Sequence, residues 1–386
     1  LVKGNKTNLE REKIIFLSAK NPLNKSNWSG IPFFMYQSLH EHFEIELIQG
    51  LEFKFIRRLG YYASKLFLIV FRKKYVFDYG ILISLLHGIY YSLKLIAKHR
   101  VRFIFCPAGL TELAFIQTKI PIVSAGDCST LQLIDYYPSL TNVLSLSVKE
   151  IAWVEKKALA KIKLQLFSSL WASDFTRKHF SINNVVEIPF GANLVASRPV
   201  ESIIHQKKTA PFNLVFISVD WHRKGGDIVL EILHSLVNQS IPIHLTIVGC
   251  KPPRHMDSGH LTIVEHIDKN SENGKLLLDG ILCNSHLMLL PTRADCTRIV
   301  IAEAFAYGLP VLANKTGGIP SMITDNVNGY LFEKNEAVYY VNKIVEIYND
   351  SLMYNRLALS SLKTSIATYN WNSWVSSGIN AINKII

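Results

Sequence analysis

The sequence predicts an α/β protein: two doubly wound parallel sheets that face each other across a cleft. Three observations carry that expectation. Short apolar runs alternate with longer segments of helical period, the pattern of strands crossed over by helices. The alternation breaks once, over polar residues 195–211 with Pro199, Pro211 and two lysines, and then restarts. Several apolar runs also lead through a glycine-bearing loop into a helix, where doubly wound folds bind their ligands.

Taken in order, Ile14–Ala19 reads as a buried strand. A polar loop with Asn27-Trp-Ser-Gly30 follows, then a helix over Pro32–His42, with Pro32 suited to a first helical turn. Ile45–Gln49 is a second strand, so the chain opens on a βαβ unit. Residues 51–100 are helical by period. Arg102–Phe105 and Ile120–Ser124 read as strands, Lys149–Ala160 as a charged helix, and Leu164–Ser168 and Val185–Ile188 as strands again. After the polar break come strand Leu214–Ile217, helix Gly226–Leu236 and strand Ile243–Val248, which ends at Gly249. Strands Leu287–Leu290 and Val311–Ala313 flank a helix around Ile299–Tyr307. The expected organisation is a first domain over 1–196 and a second over 208–370. A final helix over 371–386 is expected to cross back onto the first domain.

Composition narrows the class. A chain of 386 residues with 49% apolar residues can bury large cores, which excludes disorder. Mean hydropathy is +0.17, high for a protein outside the membrane. Yet the best candidate span, Tyr75–Lys94, is interrupted by Asp78 and His87 and ends on Lys94. The first residues, Leu1–Lys13, hold no apolar signal core. Five widely spaced cysteines, at 106, 128, 250, 283 and 296, show no zinc spacing. A reduced, cytoplasmic protein is the expectation. The net charge of +12 is concentrated between Leu51 and Arg102, which carry eleven Lys and Arg against two acids. A patch of that kind calls for a local anionic partner.

The chemistry-bearing residues cluster in Leu289–Pro320. A strand runs into a loop with Asp295, the loop opens a helix carrying Glu303, and Gly308 leads to the next strand and on to Gly317-Gly-Ile-Pro320. Eight residues of helix span ~12 Å and turn a side chain by ~80°, so two carboxylates so placed can read hydroxyls at the two ends of an elongated ligand. Between them a helix N-terminus offers free N–H groups to a diphosphate. The alternative is that Asp295 is a helix cap and Glu303 a surface acid. A second segment, Phe216–Asp227, places Arg223, Lys224, Gly225 and Gly226 after a strand. Two cations there suit a phosphate leaving group, although basic strand-to-helix loops are common.

Together these segments resemble the donor-binding half of retaining glycosyltransferases of the GT-B fold, specifically glycosyltransferase family 4. The resemblance rests on Asp295-x7-Glu303, on Glu303-Ala-Phe-Ala-Tyr-Gly-Leu-Pro-Val, on Gly317-Gly-Ile-Pro, on Arg223-Lys-Gly-Gly and on Pro189-Phe-Gly-Ala-Asn193, all in order. It implies two Rossmann-like domains facing across a cleft. It further implies that Glu303 binds the ribose and that Asp295, Cys296, Thr297 and Arg298 line the donor sugar. Main-chain N–H groups from Thr297 through Ile299 to Val300 would hold sugar and phosphates. Gly30 would approach the diphosphate from the first domain, Arg223 and Lys224 would stabilise it as it leaves, and Ile267 and Lys269 would meet the base. Asp127 falls near a polar residue that the family places at the reaction centre, though a turn aspartate is an equal reading. Tyr136, Tyr137 and Ser168 read as structural. Two positions depart from the family pattern. Asp295 is one methylene shorter than the usual Glu, and Arg298 stands where a small residue is usual, so it would crowd the sugar or contact a charged one.

The reaction implied is transfer from a nucleotide sugar, by default a UDP-sugar, to a hydroxyl of a glycan or lipid-linked acceptor of a bacterial surface polysaccharide. Retention of configuration is implied by the family alone. No D-x-D pair is present to bind a metal across the diphosphate, so no metal or cofactor is expected. The competing reading is a protein that binds a nucleotide sugar without turning it over. The 51–102 stretch interleaves aromatic and aliphatic residues with Lys and Arg, which suits an anionic membrane surface. A partly buried helical insertion with a solvated basic face is the alternative. Nucleic acid is not expected, since no nucleic-acid-binding motif accompanies the charge. A dehydrogenase and a P-loop nucleotidase are disfavoured, as neither glycine fingerprint occurs.

Overall fold

The computed structural model describes residues 11–194, 196, 211–253 and 259–386. Most of the polar break at 195–211 therefore lies outside the described residues. The first half of the chain builds β1 (Lys13–Ser18), α1 (Ile31–His40), β2 (Glu44–Gln49), α2 (Lys54–Phe71), α3 (Ile81–Leu95), β3 (Ile104–Pro107), α4 (Leu110–Leu113), β4 (Ile122–Gly126), α5 (Ser145–Leu159), β5 (Leu164–Phe167), α6 (Leu170–Phe180) and β6 (Val185–Glu187). The second half builds β7 (Phe212–Ile217), α7 (Gly226–Asn238), β8 (Ile243–Val248), β9 (Leu261–Val264), α8 (Glu272–Asn284), β10 (Leu287–Leu290), α9 (Ile299–Ala306), β11 (Val311–Asn314), β12 (Gly329–Phe332), α10 (Ala337–Asn349), α11 (Ser351–Ala367) and α12 (Trp371–Asn383).

Each half closes on one six-stranded sheet, with orders β2-β1-β3-β4-β5-β6 and β12-β11-β10-β7-β8-β9. Among the described residues every strand pair is parallel. The second order is the doubly wound 3-2-1-4-5-6 pattern counted from β7, which puts its switch point between β7 and β10. Interior strands are apolar on both faces, as sheets covered by helices on both sides require: Ile14–Leu17 and Leu287–Leu290 are wholly buried. The edge strand β2, Glu-Ile-Glu-Leu-Ile-Gln, keeps polar residues toward water.

The last helix, α12, belongs to neither sheet's own crossovers and lies on the first half. Trp371 stacks on Phe34 of α1 at 5.9 Å, and Trp374 meets Phe105 of β3 edge-on at 6.0 Å. The crossing strand of chain needs Gly191, because a Cβ there would sit 2.3 Å from the Trp371 nitrogen. One contiguous apolar core consequently runs from β1 and β3 through α12 to β7, β10 and α9. It brings the carboxyl ends of the two sheets to face each other.

Candidate functional site

The site begins where β7 and β10 diverge. Arg223 and Lys224 lie in the loop leaving β7, and Gly225 closes it at φ +78°, where a Cβ would stand 2.0 Å from the Pro291 carbonyl. Arg223 is held on three sides. Its Nε donates to Asp220 at 3.0 Å, its Nη1 to the Ala294 carbonyl at 3.1 Å, and its guanidinium lies 4.9 Å from the centre of the Tyr137 ring. Lys224 is buried and pairs with the buried carboxylate of Asp295. Arg298 reaches the same Asp295 oxygen at 3.0 Å and donates to the Ile217 carbonyl at 2.9 Å. Burial and the neighbouring Arg298 charge pull the Lys224 ammonium down to about 7. Burial alone would raise Asp295, but Arg298 and Lys224 outweigh it and hold the carboxyl below its usual range. Thus Arg298, at a position where the family is small, is the second cation on the first acid rather than a loose intruder.

The helix α9 starts at Ile299 and Val300. Its N-cap is Arg298, whose side chain makes no capping hydrogen bond. Asp295 is therefore not the helix cap. Glu303 is fully buried, so it is not a surface acid either. Lys269, in the loop after β9, donates to both Glu303 oxygens at 3.3 Å. The sequence reading set Lys269 against the base and Glu303 against the ribose; the structure brings the two together as an ion pair, with Ile267 packed nearby against the core. Beside them lies a cavity of 250 Å³, lined among others by Gly30, Phe34, Asn193, Lys269 and Tyr307.

From the first half, Trp28, Ser29 and Gly30 adopt left-handed backbone at φ 44°, 55° and 83°. Two non-glycine residues in that region mark stored strain, and such strain concentrates at functional sites. The turn is braced by Asn193, which donates to the Ser29 carbonyl at 2.7 Å and accepts from the Trp371 indole at 3.1 Å. Trp28 in turn donates to Asp127 at 3.3 Å. Burial pushes the Asp127 carboxyl up to about 6, with the Asp295 charge adding to it.

Three residues read from sequence as structural stand at the site. Tyr136 OH accepts from the Asp295 nitrogen at 2.9 Å and lies 3.0 Å from the Asp295 carbonyl, to which it donates. Tyr137 OH lies 3.3 Å from the Cys296 thiol. The Ser168 hydroxyl meets that of Thr297 at 2.7 Å. All three contacts join the two halves, and nothing local in the sequence marks them; only the facing of the sheets brings 136–168 against 295–297. Gly317 and Gly318 allow the approach. Cβ atoms there would lie 1.8 Å and 1.9 Å from the Asp295 and Cys296 carbonyls. Cys128, absent from the sequence-level site, places its sulfur 3.2 Å from that of Cys296.

What the arrangement offers is a helix N-terminus without a side-chain cap, flanked by a neutralised acid, a second buried acid and two further cations. Residues 211–350 match the family model described as glycosyl transferases group 1. Over 257 residues the chain is 23% identical to a putative colanic acid biosynthesis glycosyltransferase, WcaL, of Escherichia coli, covering 60% of this chain and 57% of that protein. That is under two thirds of the relative's length, and other curated relatives are matched over shares of theirs that run from 11% to 63%. In structure the chain is similar to sucrose-phosphate synthase from Thermosynechococcus elongatus, with TM-score 0.67, 16% identity, and 97% and 99% of the two chains covered. It is also similar to Anabaena HepE in complex with UDP and glucose, with TM-score 0.64, 15% identity, and 97% and 100% covered. These likenesses give the fold, which is GT-B.

Proposed function

We propose, on the premise that residues 211–350 are a glycosyl transferases group 1 domain within a GT-B fold, that this protein is a glycosyltransferase. It moves a sugar from a nucleoside diphosphate donor to a hydroxyl of a glycan or lipid-linked acceptor, with retention at the anomeric carbon and without a metal ion. The observation that carries this reading is the start of α9: main-chain N–H groups at Ile299 and Val300 with no side-chain cap, between the acids Asp295 and Glu303 and beside Arg223 and Lys224. A helix N-terminus of that kind suits phosphate.

Each residue takes a role from its position. The diphosphate sits at the N-terminus of α9 and draws Lys224 away from Asp295. With its ammonium near 7, Lys224 regains full charge as the anion arrives. Asp295, released, accepts from sugar hydroxyls. Glu303, released by Lys269, accepts from the ribose. As the bond from sugar to phosphate breaks, charge grows on the diphosphate where Arg223, Lys224 and the α9 N–H groups are already oriented. Asp127, on the opposite wall, faces the reaction centre from the acceptor side. UDP is the nucleotide of choice, supported by the HepE complex with UDP and glucose. A surface polysaccharide product is supported by the likeness to WcaL.

The acceptor reading includes an anionic membrane surface on the cytoplasmic side. Its support is α2, whose apolar residues Phe55, Leu59, Tyr62, Leu66 and Ile69 recur along one face and are all exposed. Among the described residues no helix is long and apolar enough to cross a membrane. A reading as a nucleotide-sugar binder without turnover draws on the Arg298–Asp295 ion pair, which ties up the first acid.

The test is a thermal-shift panel of UDP, GDP, ADP and their sugars with EDTA present, on wild type and Glu303→Ala. Ligand at ~100 times its dissociation constant adds about 2.7 kcal/mol. One nucleotide should stabilise wild type and not the variant. Stabilisation by none of them overturns the reading. Release of free nucleotide from the matching donor then separates a transferase from a binder.

A further inference from the structure

Cys128 and Cys296 come from opposite halves of the molecule, 168 residues apart in sequence. Cys128 follows β4, and Cys296 lies in the loop that opens α9. Their sulfurs are 3.2 Å apart, the separation of reacting atoms poised for attack. The pair is not isolated. The Asp127 carboxylate lies 3.7 Å from the Cys128 sulfur, and Tyr137 OH 3.3 Å from that of Cys296. Cys296 is buried, while Cys128 keeps partial exposure.

We propose that Cys128 and Cys296 form an oxidisable pair, a modification site that closes as a disulfide between the two halves and shuts the cleft. The oxidant is hydrogen peroxide. The Cys128 sulfur takes one of its oxygens as the O–O bond breaks, giving a sulfenic acid and one water. The Cys296 sulfur then attacks Cys128, the S–O bond breaks, and a second water leaves with the Cys296 proton. Two thiols thus lose two electrons and two hydrogens to one peroxide. A dithiol reductant reverses the step by exchange. The Cys296 contact, burial and the Asp127 charge hold the Cys128 thiol well above its usual range, so little of it is thiolate and its step with peroxide is slow; what favours the pair is the nearness of the second sulfur. Since the bond joins the wall bearing Asp127 to the wall bearing Asp295, a closed disulfide stops the halves from parting to exchange donor. This consequence rests on the donor reading of the cleft; the bond itself does not.

The experiment treats the full chain with a small excess of hydrogen peroxide, with EDTA present so that no metal ion can bridge the same sulfurs. Free thiols are then counted, and peptides are mapped without reduction. Two of the five thiols should disappear, the mass should fall by two hydrogens, and one peptide pair should join 128 to 296. Reductant should restore all five. Any nucleotide-induced thermal shift should vanish in the oxidised form and return on reduction. Cys128→Ser and Cys296→Ser should each lack the joined peptide. Retention of five thiols, over-oxidation of Cys128 without a cross-link, or a bond between other cysteines or between two copies overturns the proposal. A chain that cross-links yet binds no nucleotide removes the transferase reading and leaves the pair standing. A chain that binds nucleotide without cross-linking does the reverse.

Discussion

Asp127 shows how much a single position gains from its surroundings. In sequence it is an aspartate three residues past a strand-like run, no more telling than any turn acid. In the folded chain the Trp28 indole and the Cys128 thiol both donate to it, and burial lifts its carboxyl to about 6. The sign of the resulting pH dependence follows. Unfolded, the carboxyl releases its proton near 3.8; folded, it keeps it to about 6. Its contribution to stability is therefore complete below 3.8 and lost as pH rises through 6. Urea unfolding across pH 4 to 6.5 should show a decline in wild type that is smaller in Asp127→Asn, by about 1–3 kcal/mol. Equal slopes in the two proteins would place the carboxyl in ordinary solvent. Glu112 and Glu155, both lifted to about 7 by burial, act in the same direction in both proteins and cancel in the comparison.

At the scale of elements, α2 stands apart. It runs over 18 residues, yet Gly60 is its only buried residue. Gly60 rests against the Phe77 ring, where a Cβ would intrude to 2.2 Å. That anchors one face and leaves Phe55, Leu59, Leu66 and Ile69 outward, with Lys54, Arg58 and Lys65 also exposed. An apolar stripe edged by cations is the pattern of a helix lying in a membrane interface. It weighs against the alternative of a partly buried insertion, which would turn the stripe inward. Wild type should float with phosphatidylglycerol vesicles and not with phosphatidylcholine vesicles. Replacing Phe55, Leu66 and Ile69 by Ser should weaken flotation at least tenfold, while the circular dichroism spectrum stays unchanged. A tenfold loss corresponds to about 1.4 kcal/mol, modest against the ~1.5–3 kcal/mol available from each large apolar side chain on full burial. Equal flotation of variant and wild type would assign the stripe another partner.

Among the described residues several polar contacts cross the cleft, and Tyr136 makes the most telling ones. Its hydroxyl serves both the nitrogen and the carbonyl of Asp295 and also meets the Thr316 hydroxyl at 2.9 Å. Tyr136→Phe leaves those buried main-chain groups short of a partner, at a cost of about 1–3 kcal/mol. The halves should then part more readily, and small-angle scattering should report a larger radius of gyration than for wild type. An unchanged radius would show that the closed arrangement is fixed elsewhere, by α12 and the shared core.

Much of this was legible from order alone. The strands β1, β7, β8 and β10 are short apolar runs bounded by turns, and their alternation with helices requires crossovers and hence parallel sheets. The order of Asp295 and Glu303 about one helix start was legible too, but their helical spacing was not: α9 begins at Ile299, four residues after Asp295, so only Glu303 is carried on the helix. Burial was not legible: the same spacing fits a surface acid, and only the packing of α9 into the shared apolar core hides Glu303 completely. Partners distant in sequence were hidden for the same reason. Lys269 on Glu303, Arg298 on Asp295, Tyr136 and Ser168 against 295–297, and Cys128 against Cys296 all arise because two sheets face each other. The local pattern determines what each segment becomes, through hydrogen-bond geometry and side-chain period. Which charges meet is decided by how the apolar faces pack, an energy spread over the whole core and carried by no single stretch of sequence.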